Sequence, residues 1–269
     1  MSQQLLSDEA TKDICLQHFY DSMTCFALLP EVQMDRSESM TRVISPDIPN
    51  WLTNAVFNIN LAPNKVEAAI AGTTRYYLEH NVKPYWRVSP DDRPNDLEAR
   101  LLSAGYEQQM EQIMMSVQLD TITVAALDRE SLHIERISSA SELIKKHLAF
   151  RRVDDSHGRS LATLMLDLFA LYGYGRDSNW QHYVAIHDGN PAGYASAFYT
   201  EDVVGIYNVW TLAEERGKGI GTALTVRALQ DAQARGYQLG TLQSTKMAHS
   251  MYQRIGFQTH FPIRYFAPV

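Results

Sequence analysis

Cysteine is scarce in this sequence and long apolar runs are missing from it. Of 269 residues only Cys15 and Cys25 are cysteines, close together in one apolar stretch, so neither a disulfide framework nor a cysteine-built metal cage is available. None of the nine histidines stands in an HExxH or comparable ligand spacing, and no metal is expected. No uncharged apolar run reaches the ~18 residues that a membrane span needs. The opening MSQQLLSDEATKD lacks the basic and then apolar order of a secretory signal. These absences point to a reduced, cytoplasmic protein with no membrane partner.

An excess of basic charge is missing too. Lys and Arg number 24 against 31 Asp and Glu, a net charge of −7, and nothing resembles the basic stripe of a nucleic-acid binder. The deficit is uneven: residues 1–120 hold 9 basic and 17 acidic side chains, which leaves 15 and 14 for 121–269. A site for a polyanion is therefore expected in the second half. What the sequence does have is a core-forming composition, 45% hydrophobic, enough for one large or two small domains.

Ile14, Cys15, Phe19, Met23, Phe26 and Ala27 recur at helical spacing, so a helix is expected from about Asp8 to Leu29, ended by Pro30. Strands are expected over Ser39–Ile44 and Trp51–Ile59, a helix over Lys65–His80, a strand over Pro84–Val88, a helix over Asn95–Ala104 with Gly105 as its C-cap, and a strand over Gln109–Leu119. Asp120–Ser131 reads as a linker. The strand His133–Ile137 and helices over Ser139–Leu148 and Gly158–Tyr172 follow, then an antiparallel meander of Tyr183–Asp188, Ala192–Tyr199 and Val203–Leu212, with Gly189-Asn190-Pro191 as its first turn. A helix over Thr222–Arg235 and a strand, helix and strand within Gln238–Phe266 complete the chain.

Between the last meander strand and its helix lies Arg216-Gly217-Lys218-Gly219-Ile220-Gly221. Glycines let a backbone approach a phosphate closely, the helix N-terminus offers N–H groups and a positive dipole end, and Arg216 and Lys218 add charge at the rim. A helix cap alone needs one glycine or polar residue, not three glycines flanked by two cations. The Walker pattern G-x-x-x-x-G-K-[ST] is absent, and the Rossmann pattern G-x-G-x-x-G fails because Thr222 stands three after Gly219.

The residues do match R-x-x-G-x-G, and the match extends beyond the loop. Strand Ile206–Leu212, loop, helix, strand Leu239–Gln243, and then Ala248, Tyr252, Gly256 and Phe257 resemble the order found in the GNAT superfamily of acyl-CoA-dependent N-acetyltransferases, over about residues 133–266. The chain departs from that pattern at Ala213, where a proline is usual, and at Thr245, where an asparagine is frequent. The resemblance implies an α/β (α+β) fold with a mixed, mostly antiparallel central sheet flanked by helices, and acetyl-CoA as cosubstrate. It implies that Val209, Trp210, Thr211 and Leu212 bind the pantetheine arm and that Arg216, Gly217, Lys218, Gly219, Ile220, Gly221 and Thr222 hold the pyrophosphate. Thr245, Ala248, His249 and Tyr252 would line the remainder of the cofactor site.

By the same resemblance Tyr252 is the general acid that protonates the departing thiolate. The base is open: Asn208, Tyr207, Glu201 and Asp202 lie on or near the central hairpin, where water could relay a proton, and Asn208 is taken as the catalytic candidate. Phe150, Phe169, Tyr172, Tyr174 and Trp180 cluster ahead of the meander, where an acceptor cleft is expected, and Tyr172–Asp177 reads as a loop suited to gripping a small substrate.

Leu97–Met110 also resembles Ala248–Phe261 when Gly105-Tyr106 is laid on Gly256-Phe257, both being helix, glycine cap, aromatic and strand. Leu101 then stands opposite Tyr252 and has no proton to give, and residues 1–120 hold no R-x-x-G-x-G. The expected organisation is a degenerate, smaller GNAT-like half over 1–125 and a catalytic half over 126–269. The expected reaction is acetyl transfer to a primary amine, most simply of a small molecule. A peptide or protein N-terminus or lysine is the alternative acceptor, and a non-catalytic CoA-binding sensor the alternative of another class. Monomer and homodimer are equally compatible.

Overall fold

The computed structural model describes residues 7–122, 131–151, 174 and 178–269. The chain divides into two compact units. One, the loop unit, comprises Met1–Phe19 and Met115–His260; the other, the companion unit, comprises Tyr20–Met114 and Phe261–Val269. Relative to the cut expected at 125/126, both ends of the chain change sides. The reason lies in two long strands, β5 (Tyr106–Gln118) and β11 (Gln258–Pro268), each of which passes from one unit into the other.

In the companion unit, β1 (Gln33–Arg36), β2 (Thr41–Ile44), β3 (Ala55–Phe57) and β4 (Tyr85–Val88) lie in that order and are followed by β11 and β5. The first two pairings are antiparallel and β3 to β4 is parallel. Helix α2 (Val66–Glu79) makes the parallel crossover, and α3 (Leu97–Ser103) leads into β5. Val56, Ile70, Tyr77, Trp86, Leu97 and Leu101 centre the core, and the Tyr77 hydroxyl donates to the carbonyls of Val43 at 2.9 Å and Ala55 at 3.1 Å. Strand β1, which the sequence reading passes over, is exposed at all four residues and so carries no alternation of apolar side chains.

The loop unit runs β5, β10 (Leu239–Ser244), β9 (Val203–Thr211), β8 (Asn190–Tyr199), β7 (Trp180–His187), β6 (Leu132–Arg136) across its sheet. Pairings β6–β7, β7–β8 and β8–β9 are antiparallel; β9–β10 is parallel, crossed over by α5 (Ile220–Ala234). Helix α1 (Asp8–Thr24) contributes its residues up to Phe19, α4 (Ala140–Arg151) follows β6, and α6 (His249–Ile255) precedes β11. Ser7 caps α1, accepting from the Ala10 N–H at 3.2 Å. The first meander turn is Asp188-Gly189, both at positive φ (49° and 77°), closed by the pair His187–Asn190. Two left-handed residues match the strand twist, so Asn190 and Pro191 belong to β8 rather than to the turn. The expected linker lies largely, and the helix Gly158–Tyr172 wholly, outside the described residues.

Small residues on one face of β8, Gly193, Ala195 and Ala197, let α5 lie close to the sheet. A Cβ on Gly193 would stand 2.7 Å from Cγ2 of Ile220 and 3.1 Å from Cδ1 of Leu224. Ile220, Leu224 and Leu229 are buried, each contributing about 1.5–3 kcal/mol of hydrophobic stabilisation. On the same side, the Tyr183 hydroxyl of β7 donates to Asp231 of α5 at 3.1 Å.

Candidate active site

Strands β9 and β10 are in register only from Val203–Leu239 to Gly205–Thr241. Beyond that pair β9 runs on to Thr211 and β10 to Ser244, and the register is not continued. A bulge accompanies the separation. Tyr194 of β8 pairs with Trp210 and Ser196 with Tyr207, so one β8 residue faces two on β9, Asn208 and Val209. Asn208 takes φ +54°, a left-handed conformation that asparagine tolerates better than most residues. It is exposed, while Val209, Trp210, Thr211 and Leu212 are half-buried along the separated edge.

The chain then turns through Ala213–Glu215 and reaches the glycine loop. Gly217 and Gly219 stand at φ +79° and +84°, and Gly219 is the N-cap of α5 without any side-chain cap bond. The first intrahelical bond runs from the Ala223 N–H to the Gly219 carbonyl at 2.9 Å. Ile220, Gly221 and Thr222 therefore hold N–H groups for which the helix has no acceptor. With the dipole end behind them they favour an anion. Arg216 is exposed and makes no ion pair among the described residues. Lys218 is differently engaged: its ammonium binds both oxygens of Glu215 at 3.1 Å, and Nδ1 of His187 lies 2.7 Å from the same carboxylate. The Lys218 hydrogen bond, ahead of the opposing desolvation, holds the Glu215 carboxyl below its ordinary range. Among the described residues, the cation at this rim without an ion pair is Arg216.

Three elements meet beside the loop. A Cβ on Gly221 would lie 3.2 Å from Sδ of Met251 on α6 and 3.8 Å from Cγ1 of Val209 on β9. Tyr252, next to Met251, is buried at 6% exposure, with its ring edge-on to Phe257 at 5.7 Å. Burial pushes its phenol up, so the proton stays on across the physiological range. His249 opens α6 with its Nε2 2.9 Å from the Thr259 hydroxyl. Thr245 is exposed and accepts the N–H groups of Ala248 and His249 at 3.1 Å, forming the turn into α6.

On the opposite face of the meander from α5 lies an aromatic and histidine cluster. Trp180 packs on Phe198 at 4.7 Å, the Tyr194 hydroxyl lies 2.8 Å from Nδ1 of His182, and the Tyr174 ring is 5.7 Å from the His182 ring. His18 of α1 joins them beside Tyr207. Of the aromatics expected to build an acceptor cleft, Trp180 and Tyr174 fall here; Phe169, Tyr172 and the side chain of Phe150 lie outside the described residues. Sequence reasoning missed His18. The available signal was Gly205, a glycine inside a strand, which marks a close approach.

The sequence model described as the Acetyltransferase (GNAT) family matches residues 149–257, which contain β7 to β10, the glycine loop, α5 and α6. Residues 149–257 are a GNAT domain. The fold of the chain has counterparts among solved structures. A GCN5-related N-acetyltransferase from Kribbella flavida aligns over 95% of both chains at a TM-score of 0.71 and 14% identity. A functionally unknown conserved protein from Staphylococcus epidermidis aligns over 90% of this chain and 95% of its own, at 0.66 and 14%. A tandem GNAT protein from the clavulanic acid biosynthesis pathway aligns over 95% of both, at 0.61 and 14%. At such identities the likeness is one of fold. No curated protein matches the sequence. The GNAT fold is that of acyltransferases, and among the described residues no helix is long and apolar enough to cross a membrane and no acidic, histidine or cysteine cluster could hold a metal.

Proposed function

We propose that the protein transfers an acetyl group from acetyl-CoA to the primary amine of a small molecule, by direct attack within a ternary complex. The observation that carries the reading is the parting of β9 from β10 beside a helix N-terminus whose N–H groups lack helical acceptors. A flat, fully paired sheet would leave no slot for a pantetheine arm. In this reading the half-buried edge Val209–Leu212 pairs with the pantetheine amides. The N–H groups of Gly217–Thr222 and the Arg216 guanidinium bind the pyrophosphate, and Thr245, Ala248 and His249 border the same cavity.

The chemistry asks for polarisation of the thioester carbonyl and a proton for sulfur. The amine nitrogen bonds to the carbonyl carbon, the carbon–sulfur bond breaks, Tyr252 gives its phenolic proton to the thiolate, and the proton released by the amine nitrogen passes to water, from which Tyr252 is reprotonated. Asn208 has no basic nitrogen; its carboxamide at the bulge is assigned a hydrogen-bonding part. The companion unit acts as a degenerate GNAT copy that supports the catalytic half. Acetyl-CoA consumption measured against amines, polyamines, amino acids and peptides tests the proposal. A small amine should be the best acceptor; peptides as the best acceptors would replace this reading with protein acetylation. Tight acetyl-CoA binding with no turnover would make the protein a sensor. Tyr252→Phe should lower kcat about 10²-fold or more with acetyl-CoA affinity kept, and unchanged turnover would remove Tyr252 as the acid.

A further inference from the structure

The transferase reading leaves unexplained a carboxylate stationed on the rim of the glycine loop. Glu214 and Glu215 precede Arg216 and Lys218, so the four charged side chains of the rim sum to zero where a polyanion is to be received. Glu214 is exposed, whereas the Glu215 side chain is only 19% exposed. Both oxygens of Glu215 accept from the Lys218 ammonium at 3.1 Å, and Nδ1 of His187, at the end of β7, lies 2.7 Å from its Oε2.

The two partners hold the carboxylate in different ways. An ionised carboxylate only accepts, so Nδ1 of His187 carries the hydrogen. The His187 side chain is 16% exposed, and its backbone is fixed on both sides by pairing with Leu132 of β6 and Asn190 of β8. Asp188 stands farther off, 3.8 Å from the same Nδ1. Lys218, by contrast, carries a side chain 43% exposed and sits between two glycines at positive φ. A lysine–carboxylate pair this exposed is weak. A stronger acceptor can therefore draw the ammonium away while His187 keeps the carboxylate where it is.

Where the ammonium can go follows from the loop. Lys218 precedes by two to four residues the N–H groups of Ile220, Gly221 and Thr222, for which the helix has no acceptor. A diphosphate held by those N–H groups carries more charge than one carboxylate, and a flexible four-carbon stem rooted in the same loop can reach it.

We infer that Glu215 competes with the cofactor's phosphates for the Lys218 ammonium. The lysine is shared between carboxylate and diphosphate, so the loop holds acetyl-CoA and CoA less tightly than its two cations would allow. Glu215 is thus a built-in brake on cofactor affinity, and His187 is the positioning residue that keeps the carboxylate aimed at the loop. This rests on the transferase reading and deepens it, since it names a regulation of the same site.

The test uses the full chain, with acetyl-CoA and CoA as the probes and calorimetry as the measure of affinity. Glu215→Gln keeps the size of the side chain and an oxygen for His187, and should bind both probes about three- to tenfold more tightly. In a Lys218→Met background the same substitution should change affinity by less than about twofold, because no ammonium is left to release. Glu214→Gln removes an equal charge from a side chain that does not hold Lys218, and should stay within about twofold of wild type. Unchanged or weaker binding by Glu215→Gln would refute the inference. So would an equal gain with and without Lys218, or in Glu214→Gln, since either would show plain charge repulsion. In protein with 15N-labelled histidine, His187 should carry its hydrogen on Nδ1 with and without acetyl-CoA, and a bare Nδ1 would remove the anchor and with it the proposal. Wild type that binds neither probe would sink the transferase reading itself. Wild type that binds, with Glu215→Gln no tighter, would end only the competition.

Discussion

Replacing Gly193 with alanine tests whether the helix behind the glycine loop rests on a strand surface cleared for it. The new Cβ would stand 2.7 Å from Cγ2 of Ile220, 2.9 Å from the carbonyl oxygen of Trp210 and 3.1 Å from Cδ1 of Leu224. The Leu224 methyl can yield by rotation. The Trp210 oxygen is backbone of β9, and Ile220 is 1% exposed, so neither has space to retreat into. Overpacking of this kind costs about 1–3 kcal/mol, and for a unit of this size each kcal/mol lowers Tm by about 2–4 °C. A fall of roughly 2–12 °C is expected. Ile220 is also the first residue of α5, so lifting it displaces the N–H groups assigned to the pyrophosphate. A partial loss of one charge-assisted hydrogen bond weakens acetyl-CoA binding about three- to tenfold. Thermal unfolding and titration calorimetry with acetyl-CoA measure the two effects separately. Wild-type Tm would show that α5 is not seated on Gly193, and a lowered Tm with unchanged affinity would break the link between that seat and the loop.

Arg216→Glu places a carboxylate where the cation without an ion pair stands, and calorimetry should find acetyl-CoA bound at least about tenfold more weakly; equal affinity would remove the loop from the cofactor site. His18 and His182 are held by burial at about 4 and about 3, below the ordinary histidine value, so both contribute stability above about pH 6.5 that is lost as pH falls toward those values, each by up to about 1.4 kcal/mol per pH unit. Their ring resonances should stay flat from pH 8 to pH 5, and a midpoint between 6 and 7 in either would refute the burial argument. Calorimetry should also count one acetyl-CoA per chain, and two would contradict the assignment of the companion unit as a silent copy.

The site was legible wherever it depends on residues with unusual backbone chemistry. Arg216–Gly221 stands out because three glycines and two cations have no common structural use, and the strands and helix around it follow from period and length. Asn208 was legible as a candidate but its bulge was not, because a strand with one extra residue still reads as an apolar run. His18 could not be found from its own helix, where it looks like a polar residue among apolar ones; its partner Tyr207 is 189 positions away. Gly193 and Gly205 carry meaning only once Ile220 and the His18 ring are in place above them. Lys218 read as a ligand, and in the structure its ammonium also pairs with Glu215, a neighbour the motif does not constrain. The domain cut at 125 failed to anticipate that β5 and β11 each pass from one unit into the other, because strand exchange leaves no local pattern.

The two units share one order of pairings in part of their sheets, and they differ at the parallel junction. Antiparallel, antiparallel and parallel pairings recur in β1–β4 and in β7–β10, and α3 with Gly105 at φ +84° matches α6 with Gly256 at +118°. In the loop unit the parallel pair separates after Gly205–Thr241. In the companion unit β3 and β4 are in register only to Val56–Trp86, and the segments that follow them meet again beyond the strand ends. Asn60 bridges Arg93 in the parallel sense, the Leu61 N–H donates to the Arg93 carbonyl at 3.0 Å, and the Arg93 N–H donates to the Ile59 carbonyl at 2.9 Å. The buried Asp92 carboxylate accepts the N–H groups of Ile59 and Ser89, both at 2.6 Å. Backbone groups that would have to be open to pantetheine are satisfied internally, and the segment before α2 holds Pro63 in place of glycines. A carboxylate here also repels a polyanion. For the copy we propose, loss of cofactor binding needs no change of fold, only bonds that join the segments after the parallel pair, whereas beside Arg216 the parallel strands part.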